Sequence, residues 1–445
     1  LFRPVQESKL DNGLTVLTVA NPTSPTATLQ VWYRIGSRNE SMGITGISHI
    51  FEHMMFKGTD RHPKGEFDRI VQENGMSYNA FTSHDFTAYF EVMAADRLEI
   101  AMELEADRMQ GLTLDPKEFD SEMAVIREER RQTREDPPFG LLSESVEAAV
   151  FTLHPYRWPV IGWMTDLHTI TLDDLKRYYG GYYRPNNAVL IVAGDVSAQQ
   201  VEAMAARHFG SIAPGPDRRP RPVHEPRQLG ERTVSVHKAV ELPGILLAYR
   251  APSSRERDAK VLNLIETLLF HGRSSRLYQS LSYRNQLTTG LSGGIHHRAD
   301  PSTFLIQAMA RPGVPIERVR ETVYEDLERL QREPVPADEL HKARTAIEAE
   351  YTFAQESNQE LAQHLGAMEC RGSWRDFDRF LEEHLEIGAE DIQRVAGETF
   401  RETNRTVGYL VPDRNAPGPN GDPPEPAGRV PLSGTRRPAR DRRFS

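Results

Sequence analysis

Cysteine is almost missing: Cys370 is the one thiol in 445 residues. That excludes an internal disulfide framework and any zinc site built from several thiolates. A metal in this chain must draw on histidine and carboxylate. Long apolar runs are missing as well; the longest, around 188–193, falls far short of the roughly 20 residues a helix needs to cross a bilayer, so no membrane span is expected. Surplus positive charge is also absent. With 54 Lys and Arg against 64 Asp and Glu the net charge is −10 with histidine neutral, whereas phosphate backbones are bound by clustered cations, so nucleic acid is not an expected partner. The chain opens at Leu1 with neither methionine nor a basic, apolar leader, as a mature exported protein does. The periplasm is the expected compartment and the cytoplasm the alternative.

What is present is enough for two cores. A hydrophobic fraction of 38% with 31 glycines lies in the range of soluble globular chains, and the length exceeds what one core holds, so two large domains are expected. Residues 214–228 carry five prolines, one glycine and four arginines without strand or helix period, which predicts a linker. Residues 414–445, with seven prolines and a run of arginines, predict an extended or disordered tail. The folded domains are then 1–213 and 229–413. They resemble each other: Phe51-Glu52-His53-Met54-Met55-Phe56 recurs as Ile265-Glu266-Thr267-Leu268-Leu269-Phe270, Gly58 recurs as Gly272, and Glu129 falls opposite Glu350. In the second copy His49 and His53 become Asn263 and Thr267, so whatever the histidines do is done once. Apolar β-branched stretches at 28–33, 87–92, 189–193 and 304–308 alternate with long helical patterns, an α/β or α+β layout.

Between 47 and 55, Ile47, Ile50, Phe51, Met54 and Met55 fall at the i, i+3, i+4, i+7, i+8 positions of one helical face. At about 100° per residue, His49, Glu52 and His53 share an arc nearly opposite that stripe. Two histidines one turn apart can each give a nitrogen to one zinc ion, and a glutamate on the same face can take a proton from the water the metal activates. Without a third ligand the same residues read as two surface histidines on an amphipathic helix. The best supply of that ligand is the helix opened by Asp115-Pro116-Lys117-Glu118, a capping box with proline at the first helical position. Glu122 and Glu129, seven apart, share one of its faces. Glu128 lies roughly 120° away and reads as part of a solvated face with Arg127, Arg130 and Arg131.

These residues resemble the M16 peptidases, the pitrilysin, insulinase and mitochondrial processing peptidase family, whose mark is the inverted zinc motif His-x-x-Glu-His. The resemblance implies one zinc ion per chain held by His49, His53 and Glu129, with Glu52 as the catalytic base and Glu122 in support. It covers about residues 7–412. Within it, Asn79-Ala80-Phe81-Thr82 looks like the family's substrate-binding edge strand, and 178–194 looks like its tyrosine-rich helix and following strand. The implied fold is α+β, two homologous domains that each pack a mainly antiparallel sheet with helices, the LuxS/MPP-like metallohydrolase fold. The implied activity is that of a zinc endopeptidase whose paired subunits enclose a chamber, where peptides or unfolded segments add as a strand to the exposed edge. In one respect the chain departs from the family. Many members carry an arginine and a tyrosine seven apart in the second half, where this chain has Ser282 and Thr289; Tyr283 and Arg284 are adjacent and in the wrong order. The expected protein is therefore the zinc-bearing subunit of a hetero-oligomer whose second M16-like subunit supplies the pair, with a homodimer as the other arrangement.

Two further readings compete. A catalytically inactive assembly subunit would share the fold, but such a chain lets the metal motif decay, and here it is intact. Gly290-Leu291-Ser292-Gly293-Gly294 matches the nucleophile elbow of serine hydrolases, yet no helix follows to support the serine. The adjacent His296 and His297 are expected at the surface, and His84 is expected to be a polar strand residue.

Overall fold

The computed structural model describes residues 3–216, 223–413 and 415–416. The tail expected at 414–445 thus lies outside the described residues except for 415–416, as does the middle of the linker, 217–222. Eleven strands are described: β1 (Val5–Lys9), β2 (Thr15–Ala20), β3 (Thr26–Tyr33), β4 (Ser77–Thr82), β5 (Thr87–Ala94), β6 (Ala188–Gly194), β7 (Arg232–Lys238), β8 (Gly244–Ala251), β9 (Thr288–Ile295), β10 (Ser302–Ala310) and β11 (Arg405–Pro412). They form a six-stranded sheet in the order β1-β2-β6-β3-β5-β4 and a five-stranded sheet in the order β7-β11-β8-β10-β9.

Without β1 the two sheets share one topology. In each, the last strand of the half inserts beside the first and runs parallel to it, β6 with β2 and β11 with β7. Every other pairing is antiparallel, and β4 and β9 occupy equivalent edges. The sequence repeat is therefore a repeat of architecture, and the fold is a mixed α/β one with two mainly antiparallel sheets. Ser292 sits within β9 opposite Gln307, so the glycine-serine pentapeptide is strand and forms no nucleophile elbow.

Both faces of each sheet are covered, which follows from the alternation of side chains along a strand. In the first sheet Val16, Leu29, Val31, Leu190 and Val192 face the core of their own half. Leu17, Val19, Trp32, Val189 and Ile191 face the other way, where Leu361, Ala362 and Leu365 of the helix Asn358–Arg371 cover them. The second sheet answers in kind. Ile245, Leu247, Phe304 and Ile306 face its own core, while Leu246, Ala248 and Leu410 are covered by Leu142, Val146 and Val150 of the helix Gly140–Val150. Each half thus lends one helix to the other's sheet. With each buried aliphatic side chain contributing about 1.5–3 kcal/mol, these exchanged helices couple the two halves strongly.

The contact is closest at Gly366, where an added Cβ would lie 2.2 Å from the Trp32 ring. Gly366→Ala is expected to destabilise the chain by about 1–3 kcal/mol through overpacking. An unchanged urea midpoint would show that the two surfaces do not meet so tightly.

Candidate metal centre

The motif helix spans Ile47–Met54, with Ile47, Ile50, Phe51 and Met54 buried. Phe51 stacks on Tyr178 and Tyr179 of the helix Leu172–Tyr182, at centroid distances of 5.7 and 6.0 Å. The helix start is fixed by backbone geometry and by a carboxylate. Gly46 precedes it at φ 91°, where a Cβ would also strike the Ile161 carbonyl oxygen at 2.5 Å, so only glycine fits. Glu40 accepts from the Gly46 and Ser48 amides, each at 2.8 Å, and so satisfies donors that no helical carbonyl reaches. Burial drives the Glu40 carboxyl up to about 8 despite those bonds.

With its apolar face anchored, the helix turns His49, Glu52 and His53 toward the helix Pro116–Arg130. Asp115 caps that helix by accepting from the Lys117 and Glu118 amides. Its residue Glu129 brings Oε1 to 3.5 Å from His49 Nε2 and Oε2 to 3.4 Å from His53 Nε2. One ligand atom from each of the three lies within 4.8 Å of the others, and among the described residues this is the group of histidines and acids able to hold a metal ion. Zinc bonds of about 2.0–2.2 Å in a tetrahedron separate neighbouring ligand atoms by about 3.3–3.6 Å. The donor set therefore fits zinc in chemistry, and both histidine–carboxylate separations match that spacing.

The surrounding groups hold the donors in place. Glu122 Oε2 lies 3.2 Å from His53 Nδ1, the carboxylate–histidine arrangement that fixes which ring nitrogen faces a metal. Lys57 Nζ approaches Glu122 Oε1 at 2.6 Å and balances its charge. Glu128 points out to Arg131 at 2.9 Å and Gln132 at 3.1 Å, on the solvated side. Arg130 does not share that face: it is buried and bonds Glu144 through both terminal nitrogens.

Electrostatics separate the two histidines. Burial lowers His49 to about 4, so it is a neutral donor at ordinary pH. For His53 burial acts in the same direction, but hydrogen bonds to Glu129 and Glu122 outweigh it and raise its pKa, so metal binding there displaces a proton. The hydrogen bond from His53 in turn lowers Glu129. Glu52 is raised by burial, although the polar groups of neighbouring Thr82 pull the other way. Its carboxylate thus sits between the motif helix and the end of β4, with a raised proton affinity that suits a general base.

β4 is an open edge, paired to β5 alone. The Ala80 amide donates to its neighbour Asn79 Oδ1 at 2.8 Å rather than across the ladder. Strand alternation then turns the backbone groups of Tyr78, Ala80 and Thr82 to the open side. Phe81 packs the other way, edge-on to Trp32 at 5.3 Å. Among the described residues the second half has no such centre. Asn263 and Thr267 replace the histidines, and Glu266 accepts from the Ile295 amide at 3.0 Å. Ser282 meets Thr288 at 3.0 Å, Thr289 is exposed on β9, and Tyr283 is exposed.

Two outcomes were not anticipated from the sequence. Lys57 is one, although its i+4 spacing from His53 was a usable signal. The other is His84, which lies in the turn between β4 and β5, half-buried and edge-on to Tyr156 at 5.4 Å, instead of in a strand. After β9, His296 stands between Glu147, 3.8 Å away, and Arg298, and His297 is exposed while lining a cavity, as expected of surface residues.

Known proteins resemble this chain in sequence and in fold. A family model described as insulinase, peptidase family M16, matches residues 15–162, and one described as the peptidase M16 inactive domain matches residues 169–347. The second match begins before β6, which belongs to the first sheet. The zinc protease PqqE of Helicobacter pylori is 34% identical over 417 residues, 92% of this chain and 94% of that protein. The crystal structure of a protease from Helicobacter pylori superposes with a TM-score of 0.89 at 33% identity, covering 92% of this chain and 99% of that one. The periplasmic protease PqqL from Escherichia coli shares the fold, with a TM-score of 0.74 at 18% identity over 95% of this chain and 50% of its own.

Proposed function

The chain belongs to the M16 peptidase family, and from that premise we propose that it is a zinc-dependent endopeptidase acting on peptides or unfolded segments. The observation that carries the reading is the convergence of His49, His53 and Glu129 beside an open sheet edge. A zinc ion at these residues supplies Lewis-acid polarisation of a peptide carbonyl and of water. The rest falls to the chain. The open side of β4, at Asn79, Ala80, Phe81 and Thr82, binds the substrate backbone as an added strand, so affinity depends little on side-chain sequence. Glu52, beside Thr82 at the end of β4, takes the proton of the attacking water on a carboxylate oxygen and returns it to the leaving nitrogen. Glu122 keeps the His53 ring turned, and Lys57 pairs with the other oxygen of Glu122.

In this reading residues 1–213 form the peptidase domain, 214–228 the linker, 229–413 an inactive repeat and 414–445 a tail. Pairing of two subunits closes a chamber around β4, and a related subunit supplies the arginine and tyrosine that Ser282 and Thr289 do not. We assign the protein to the periplasm, the compartment named for the Escherichia coli neighbour, and cell fractionation tests that assignment.

The activity is tested by mass spectrometry of an unstructured peptide mixture incubated with the zinc-loaded chain, alone and with a related chain that carries the pair. Chelator-sensitive cutting that accelerates in the mixture is the expected result. Equal rates with and without the partner would remove the hetero-oligomer, and no cutting in either sample with zinc bound would remove the endopeptidase. In the same assay Glu122→Gln is expected to weaken zinc affinity about 10–100-fold and to regain most of its rate in excess zinc.

A further inference from the structure

The second half's counterpart of the metal centre is a cavity. It measures about 300 Å³ and includes Asn263 and Glu350, the repeat partners of His49 and Glu129, in its lining. Its walls come from the helices Arg257–Phe270, Ala337–Phe353, Asn358–Arg371 and Asp376–Leu385. Arg255, Arg371 and the imidazoles of His297, His364 and His384 give it a polar side, and Met368 and Phe380 an apolar one.

Most charges around it are balanced. Lys260 pairs with Glu383 and Asp376 with Arg379 at 2.7 Å, while Glu350, on the exposed rim, lies 3.7 Å from His271. The two arginines are different. Arg255 donates its Nε to the Arg371 carbonyl, which draws both side chains to one wall. Arg371 lies over the Phe86 ring at 5.3 Å, and its Nε is buried without a partner. Among the described residues neither guanidinium is ion-paired with a carboxylate. Asp85, which acts on Arg371 from farther off, already accepts from Tyr156 at 2.6 Å and from the Ala299 amide at 3.0 Å. Arg371, largely withdrawn from water without an ion-paired carboxylate, carries a cost that an incoming anion lowers, while Arg255 is exposed, with Asp300 near enough to feel its charge.

The histidines reinforce the preference. Burial lowers His384 to about 4; His297 and His364 keep exposed surface but are crowded at the cavity, which lowers them as well, with Arg371 adding to the effect on His297. All three are neutral at ordinary pH and add no charge of their own. His384 donates Nδ1–H to the Phe380 carbonyl at 2.6 Å and lies 3.4 Å from the Asn263 amide nitrogen, which fixes both side chains in the wall.

We propose that this cavity binds a small ligand that carries an oxyanion, carboxylate or phosphate, on an apolar group. Arg255 and Arg371 meet the oxyanion through planar N–H forks, and Phe380 and Met368 receive the apolar group. The volume is at the lower end of small-ligand sites. No step of the peptidase reading is needed for this binding, because none of these residues belongs to the metal centre.

The test is calorimetric titration of the zinc-loaded full chain with N-acetylphenylalaninate, inorganic phosphate and the neutral N-acetylphenylalaninamide. Saturable binding of at least one anion and none of the amide is expected, with Kd raised about tenfold or more in both Arg371→Met and Arg255→Gln. Binding of the first anion alone identifies a carboxylate ligand, and binding of phosphate alone a phosphate ligand. Arg255 is exposed, so Arg255→Gln keeps the comparison decisive should Arg371→Met not fold. The proposal is overturned if neither anion binds at millimolar concentration, if the amide binds as tightly as the anion, or if Arg255→Gln leaves Kd unchanged.

Discussion

Glu52→Gln is expected to keep its zinc and its fold while kcat falls about 10²–10⁴-fold, the range a positioned general base contributes. The argument rests on what the amide preserves. Glutamine has the size of glutamate, so the packing between the motif helix and the end of β4 survives. Only basicity is lost. His49, His53 and Glu129 are untouched, so zinc content by atomic absorption should equal that of the parent chain. Because the change removes a proton acceptor used in the chemical step and no contact made by bound substrate, KM should move little and the loss should appear in kcat. A variant that turns over at the parental rate would assign the base to another group. One that loses zinc as well would mean that Glu52 holds the site together instead of acting in it.

Much of this centre is legible in local sequence because its chemistry rides on two helices. Helical period alone puts His49, Glu52 and His53 on one arc and Glu122 with Glu129 on another, and the structure turns those arcs toward each other. Period decides which face of a helix is apolar, not what that face packs against. The helix Gly140–Val150 illustrates the limit: Leu142, Val146 and Val150 form an ordinary stripe, and nothing in it tells that the stripe covers the second sheet rather than the first. The same holds for Leu361 and Leu365 against Trp32. β6 is a second case. Its unbroken apolar run marks a strand buried on both faces, but its place between β2 and β3 depends on pairings with strands more than 150 residues away.

Glu129→Gln should cost more zinc affinity than any change in the supporting groups, on the order of 10²–10³-fold. That is one ligand's share of the roughly 10–16 kcal/mol that a four-ligand zinc site gains. The amide oxygen stays within reach but brings no negative charge, and both histidines lose the carboxylate that now lies 3.5 and 3.4 Å from their Nε2 atoms. Glu122→Gln differs in kind, since Glu122 turns the His53 ring and is itself held by Lys57, so excess zinc should restore that variant's rate and restore Glu129→Gln far less completely. Glu128→Gln is the internal control. It lies next in the chain to Glu129 but pairs with Arg131 and Gln132 on the solvated face, and its zinc affinity should match the parent. Competition against a fluorescent zinc chelator ranks the three variants directly. If Glu129→Gln kept parental affinity while Glu122→Gln lost it, the third ligand would be Glu122, and the short separations between Glu129 and the two imidazoles would have to be read as hydrogen bonds alone.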